Sequence, residues 1–129
     1  MKTFAKILLA AGIAALPVAP ALAASACSNP NTDFDQVYCY TKLFIQADAD
    51  LNVVYKNLVA KLNADGRAAL KKSELAWIKT RNGKCTESRS NDILVDLDCT
   101  VEQTVSRTNW LNDRLRECSA SGCMNEKLK

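Results

Sequence analysis

The sequence contains no histidine. The side chain most often used for general acid–base chemistry is therefore missing, and zinc sites that mix Cys and His ligands are excluded. Neither Cys27 to Cys39 nor Cys85 to Cys99 has the C-x-x-C spacing of zinc or thioredoxin-type redox motifs. Asp92, Asp96 and Asp98 do not follow the spacing of a calcium loop. No basic stripe of the kind that binds nucleic acid is present. No segment alternates apolar and polar residues as a half-buried strand does. Linkers, low-complexity segments and internal repeats are also lacking. Paired carboxylates such as Asp48 and Glu74 are the remaining route to catalysis, by glycosidase chemistry. That chemistry needs a cleft, which a slim helical domain offers little of. The expectation is a non-enzymatic chain with no cofactor and no metal.

What is present begins with an address. Lys2 and Lys6 precede an apolar stretch from Ile7 to Ala15, and Ala21-Leu22-Ala23 closes the segment with small residues. This is the layout of a secretory signal peptide over residues 1–24. Pro17 and Pro20 interrupt the run, which is too short for a transmembrane helix. Ala24-Ser25-Ala26 before Cys27 faintly resembles a lipoprotein processing site, but Ala24 stands where a large aliphatic residue is usual. A lipid anchor at Cys27 would also leave an odd number of cysteines for pairing. A bacterial periplasmic or secreted chain is expected, with one domain over residues 25–129. Without Lys2 and Lys6 the formal charge of +3 falls to +1.

A domain of this size often needs covalent staples. Six cysteines in an exported chain read as disulfides and allow fifteen pairings. Neighbour pairing is the expectation, because Cys27–Cys39, Cys85–Cys99 and Cys118–Cys123 would each close a short local loop.

Three segments have helical periodicity. The first spans about Phe34 to Leu62, with Val37, Tyr40, Phe44, Ala47, Leu51, Val54, Tyr55, Leu58 and Leu62 on one stripe. Thr32 or Asp33 can cap its start, and Asp65 can cap the next helix. The second spans about Arg67 to Arg81, with Leu70, Leu75, Trp77 and Ile78 as apolar positions and Asn82-Gly83 as a stop. The third carries Leu94, Leu97, Val101, Thr104, Thr108, Leu111 and Leu115, and Ser90 or Asn91 can cap it. The reading is an all-α fold without a sheet: an antiparallel, up-down-up bundle of three helices stapled by disulfides.

Several landmarks form an ordered set. Cys27 and Cys39 come first, then Ala47-Asp48-x-x-Leu51-Asn52-x-x-Tyr55. Leu70-x6-Trp77-Ile78-x-x-Arg81-Asn82-x-x-Cys85 follows, and Cys99-x4-Thr104-x-x-Arg107-x3-Leu111 closes the set. By these residues the chain resembles the lysozyme inhibitor LprI-like N-terminal domain family of exported bacterial proteins, from Cys27 to Leu115. Glu74 departs from the Gln usual in the family, and Ser88-Arg89-Ser90 replaces a Gly-Gly-Ser-like loop. Cys118 and Cys123 are an addition to the pattern.

The resemblance implies a protein that binds a protein partner, as an inhibitor of lysozyme or a related wall-cleaving enzyme. The alternative is an immunity-like or structural periplasmic partner that does not inhibit lysozyme. Asp48, Arg81 and Arg107 are the family's charged positions and are read as interhelical ion pairs. Tyr55 and Trp77 are read as core, and Asn52 as a hydrogen-bonding residue inside the bundle. Trp110 stands apart, since Ser106, Arg107, Asp113 and Arg114 surround it on a polar helical face. A tryptophan beside arginines has the composition of a binding hot spot. The loop from Lys84 to Asn91 holds Glu87 and Arg89, and it can place Arg89 or Lys84 against the ionised carboxylate of a lysozyme cleft. Trp110, Arg114, Lys84 and Arg89 are the expected contacts, and oligomeric state is not legible.

Overall fold

A computed structural model describes Cys27 and residues 29–129. The expected signal peptide and its cleavage site lie outside the described residues. Helix α1 (Asp33–Lys61, 29 residues) starts at Thr32, whose hydroxyl accepts from the Asp35 amide. Helix α2 (Ala64–Lys84, 21 residues) starts at Asn63, whose side chain accepts from the Gly66 amide. Helix α3 (Leu97–Ser121, 25 residues) starts at Asp96, which accepts from the Cys99 amide. These caps satisfy amides that a helix leaves free at its first turn. Gly122 ends α3 at φ 91°, a left-handed conformation that glycine adopts without strain. A final 3-10 turn covers Asn125–Leu128.

The polypeptide runs up, down and up. Tyr40, near the start of α1, lines a groove with Asp96, Leu97 and Asp98 at the start of α3. At the other end, the Cys123 sulfur lies 3.6 Å from the Lys61 carbonyl. Helices α1 and α3 are therefore parallel and pack directly on each other, with α2 running back alongside them. Leu51, Leu58 and Leu62 of α1 meet Leu70 of α2, Leu111 of α3 and Leu128 of the tail in the buried core. Thr104 is wholly buried in the middle of the α3 stripe. Its hydroxyl donates to the Thr100 carbonyl at 2.7 Å, which satisfies the polar group locally. The tail packs closely on α2: a Cβ on Gly66 would sit 2.5 Å from Asn125 Oδ1.

Disulfides join Cys27 to Cys39, Cys85 to Cys99 and Cys118 to Cys123. The Cys27 sulfur is thus engaged, and a thioether to lipid at the same atom would exclude that bond.

The sheet-free expectation is corrected. Strands β1 (Thr86–Arg89) and β2 (Asp92–Val95) form an antiparallel hairpin, with Thr86 opposite Val95 and Arg89 opposite Asp92. Ser90 takes φ 51° in its turn. The Asp96 amide donates to the Cys85 carbonyl at 2.9 Å and closes the base of the hairpin. Ile93-Leu94-Val95 is an unbroken apolar run that suits a strand or a helix alike. Leu94 happens to extend the α3 periodicity, which hid the strand. The cap of α3 is accordingly Asp96 rather than Ser90 or Asn91, and Cys99 lies in its first turn. Helix α2 also continues past Asn82-Gly83 to Lys84.

The hydrophobic stripe needs correction as well. Val37, Leu75 and Leu94 are exposed, at 55%, 59% and 45%. The first turns of α1 extend beyond the core. At about 1.5 Å per residue α1 is roughly 43 Å long, and its burial becomes regular only from Ala47 onward.

Candidate protein-binding surfaces

The four expected contacts fall in two places. Lys84 ends α2 and Arg89 ends β1, both exposed beside the hairpin. Trp110 and Arg114 lie on α3, with Trp110 about 20 Å along the helix from Leu97 at about 1.5 Å per residue. One surface patch of that set is not formed. Arg89 pairs with Glu87 at 3.0 Å, with both side chains more than half exposed, so the pair is a weak restraint.

Trp110 is not the exposed residue the polar face suggested. It is half-buried against the core cluster. The Arg107 guanidinium lies 4.1 Å from its ring centroid and that of Arg114 lies 5.6 Å away. Arg114 also pairs with Glu117 at 2.9 Å. The arginines cover the indole, which removes part of what a partner would contact.

The family's charged positions are distributed differently from the expectation. Arg107 Nε donates to Glu74 Oε2 at 2.9 Å, and Arg107 Nη2 donates to Ser73 at 3.0 Å. Both members of this ion pair are buried. Asp48 takes no part; it accepts from Asn52 on its own helix at 3.0 Å. Arg81 lies between the rings of Phe44 and Trp77, at 5.5 and 4.9 Å from their centroids. Glu74 was the residue missed. Its signal was its place between Leu70 and Trp77, four and three residues away, on the buried stripe of α2.

Asp48, Asn52, Tyr55, Glu74, Trp77 and Arg81 line one groove of about 300 Å³ between α1 and α2. The residues that carry the family resemblance on these two helices therefore share a location. Much of the groove wall belongs to the ion-pair and stacking network just described.

A second groove, of about 330 Å³, lies at the hairpin end between the starts of α1 and α3. Gln36, Val37 and Tyr40 face Val95, Asp96 and Asp98 across it. Its lining residues Val37 and Val95 are more than half exposed, as are Phe34, Tyr38 and Ile93 on the same α1 turns and hairpin strand. Phe34 and Tyr38 stack in parallel, one helical turn apart. Partial burial pushes the Tyr40 phenol above the ordinary tyrosine value, helped by the carboxylates of Asp98, Asp96 and Glu102. Burial also raises Tyr55, with Glu74 adding to the effect and Arg107 opposing it.

These shifts predict an alkaline instability. Both phenols are held neutral in the folded chain more strongly than in the unfolded one. Their contribution is complete below the ordinary value of about 10 and is lost as pH rises through the folded values. Ultraviolet titration of Tyr40→Phe and Tyr55→Phe variants should remove the late-ionising components. Unchanged titration curves would contradict the assignment.

Among the described residues, no helix is long and apolar enough to cross a membrane. The three disulfides fit an oxidising compartment. Comparisons with curated proteins and with solved structures match nothing. A family model described as lysozyme inhibitor LprI matches residues 24–127, and the chain belongs to that family.

Proposed function

We propose that the chain is an exported envelope protein, periplasmic or secreted, that inhibits lysozyme or a related wall-cleaving enzyme by binding it. It acts by occupation of a surface and not by catalysis. Family membership supports the reading, and the observation that carries it is the hairpin. Two four-residue strands stand at one end of the bundle, pinned at their base by Cys85–Cys99. A binding element held in one shape loses little entropy on docking. Arg89 stands beside its narrow turn and Lys84 at its base, and a cation at the tip suits a cleft containing an ionised carboxylate.

A lysis assay with purified chain and suspended cell walls tests this. Micromolar chain should slow lysis by at least one type of lysozyme, and Arg89→Ala should weaken the protection about tenfold, as loss of an interfacial cation does. No protection across several lysozyme types would defeat the reading and leave an immunity-like or structural partner role.

A further inference from the structure

We infer that the apolar face beside the hairpin, formed by the starts of α1 and α3, is a docking surface for a strongly basic protein. This rests on the protein-binding reading above, but not on lysozyme being the partner. The apolar part is Val37 and Tyr40 of α1, with Val95 across the groove; Phe34 and Tyr38 continue the exposed apolar surface around α1, away from α3. Positions 36, 37 and 40 fall on one helical face, the one turned to α3. Contiguous exposed apolar surface rimmed by polar residues is the usual form of an interaction site.

The charge identifies the occupant. Asp33 and Asp35 lie in the first turn of α1, Asp96 and Asp98 at the start of α3, and Glu102 one turn further. None of these five carboxylates takes part in a salt bridge among the described residues. Asp98 Oδ1 is buried without a hydrogen-bond partner. Lys42, over the Tyr38 ring at 5.3 Å, is a cation at the edge of this face. The +1 balance of residues 25–129 therefore conceals a local excess: five of the fourteen acids lie where two helices begin, with Lys84 and Arg89 on the hairpin side of that end. Four of the five sit at helix starts, where an acid is favoured, but Glu102 lies beyond the first turn. Lysines or arginines of a basic partner would supply these carboxylates with the cations they lack, while its apolar part covers Val37 and Val95. Acidic partners would be repelled, and opposite charge would speed encounter with basic ones.

The test measures binding of the exported chain to three proteins of similar size: a basic lysozyme, a basic protein with no wall-cleaving activity, and an acidic protein. Titration calorimetry at low and moderate salt reads the affinities, with thermal melts as a control on folding. Basic proteins should bind and the acidic one should not, with affinity falling as salt rises. Asp98→Asn/Glu102→Gln should weaken binding about tenfold and flatten the salt dependence. Val37→Lys, at an exposed site, should weaken it about tenfold or more while leaving the melt unchanged.

Full affinity in both variants would overturn the proposal, as would a chain that binds no basic protein. A self-associating chain broken apart by Val37→Lys would also overturn it, since the face would then meet a second copy. Binding to the basic non-lysozyme alone supports this surface and defeats the lysozyme reading. Lysozyme inhibition unaffected by either variant has the opposite meaning.

Discussion

Arg107→Ala should destabilise the fold by about 3–5 kcal/mol, the range for removing one partner of a buried ion pair. The two side chains are 9% and 11% exposed. Arg107 engages only one carboxylate oxygen of Glu74, and Oε1 already lacks a partner. Removing the guanidinium would leave the whole carboxylate buried and unneutralised. It would also take away the cation lying against Trp110. The double variant Glu74→Leu/Arg107→Met should recover most of the loss, because it removes both charges and keeps much of the volume. Asp48→Ala should change stability far less, by about 0.2–0.5 kcal/mol, since it gives up a local pair four residues apart. Chemical denaturation of the three variants checks the order. Equal losses for Asp48→Ala and Arg107→Ala would mean that Asp48 belongs to the buried network.

Loss of the Cys85–Cys99 bond should have a comparable effect on stability and a larger one on binding. The bond spans 14 residues, for which chain entropy gives about 3 kcal/mol. The double variant Cys85→Ser/Cys99→Ser therefore should lower the unfolding free energy by about that amount. The hairpin it pins has two strands of four residues, all exposed. A two-stranded ribbon of that size has little stability of its own in water. Released at its base, it should lose its fixed direction, and wall protection should disappear while the helical circular dichroism remains. Protection that survives at full strength would separate the binding surface from the hairpin.

The helices were legible because their stripes are long. Leu51, Leu58 and Leu62 recur at helical spacing, and so do Val101, Thr104, Leu111 and Leu115. The hairpin was not legible because four-residue strands carry too few positions to establish a period. The extent of the core along α1 was also hidden. Val37 and Leu58 sit on the same stripe, yet one is exposed and the other wholly buried. Periodicity reports which side of a helix is apolar; what lies opposite depends on where the other helices end. The buried pair was half visible. Arg107 was marked by the family pattern, but its partner comes from 33 residues away on another helix. The overall charge concealed the acidic end in the same way, since a sum carries no positions.

Leu128 is 1% exposed and joins Leu58, Leu70 and Leu111 in the core. Cys118–Cys123 and the fit of Asn125 against Gly66 hold it there. Closure of the core therefore waits for the last part of the chain. Until Leu128 is docked and Cys118–Cys123 has formed, the part of Leu58, Leu70 and Leu111 that Leu128 covers stays open to solvent.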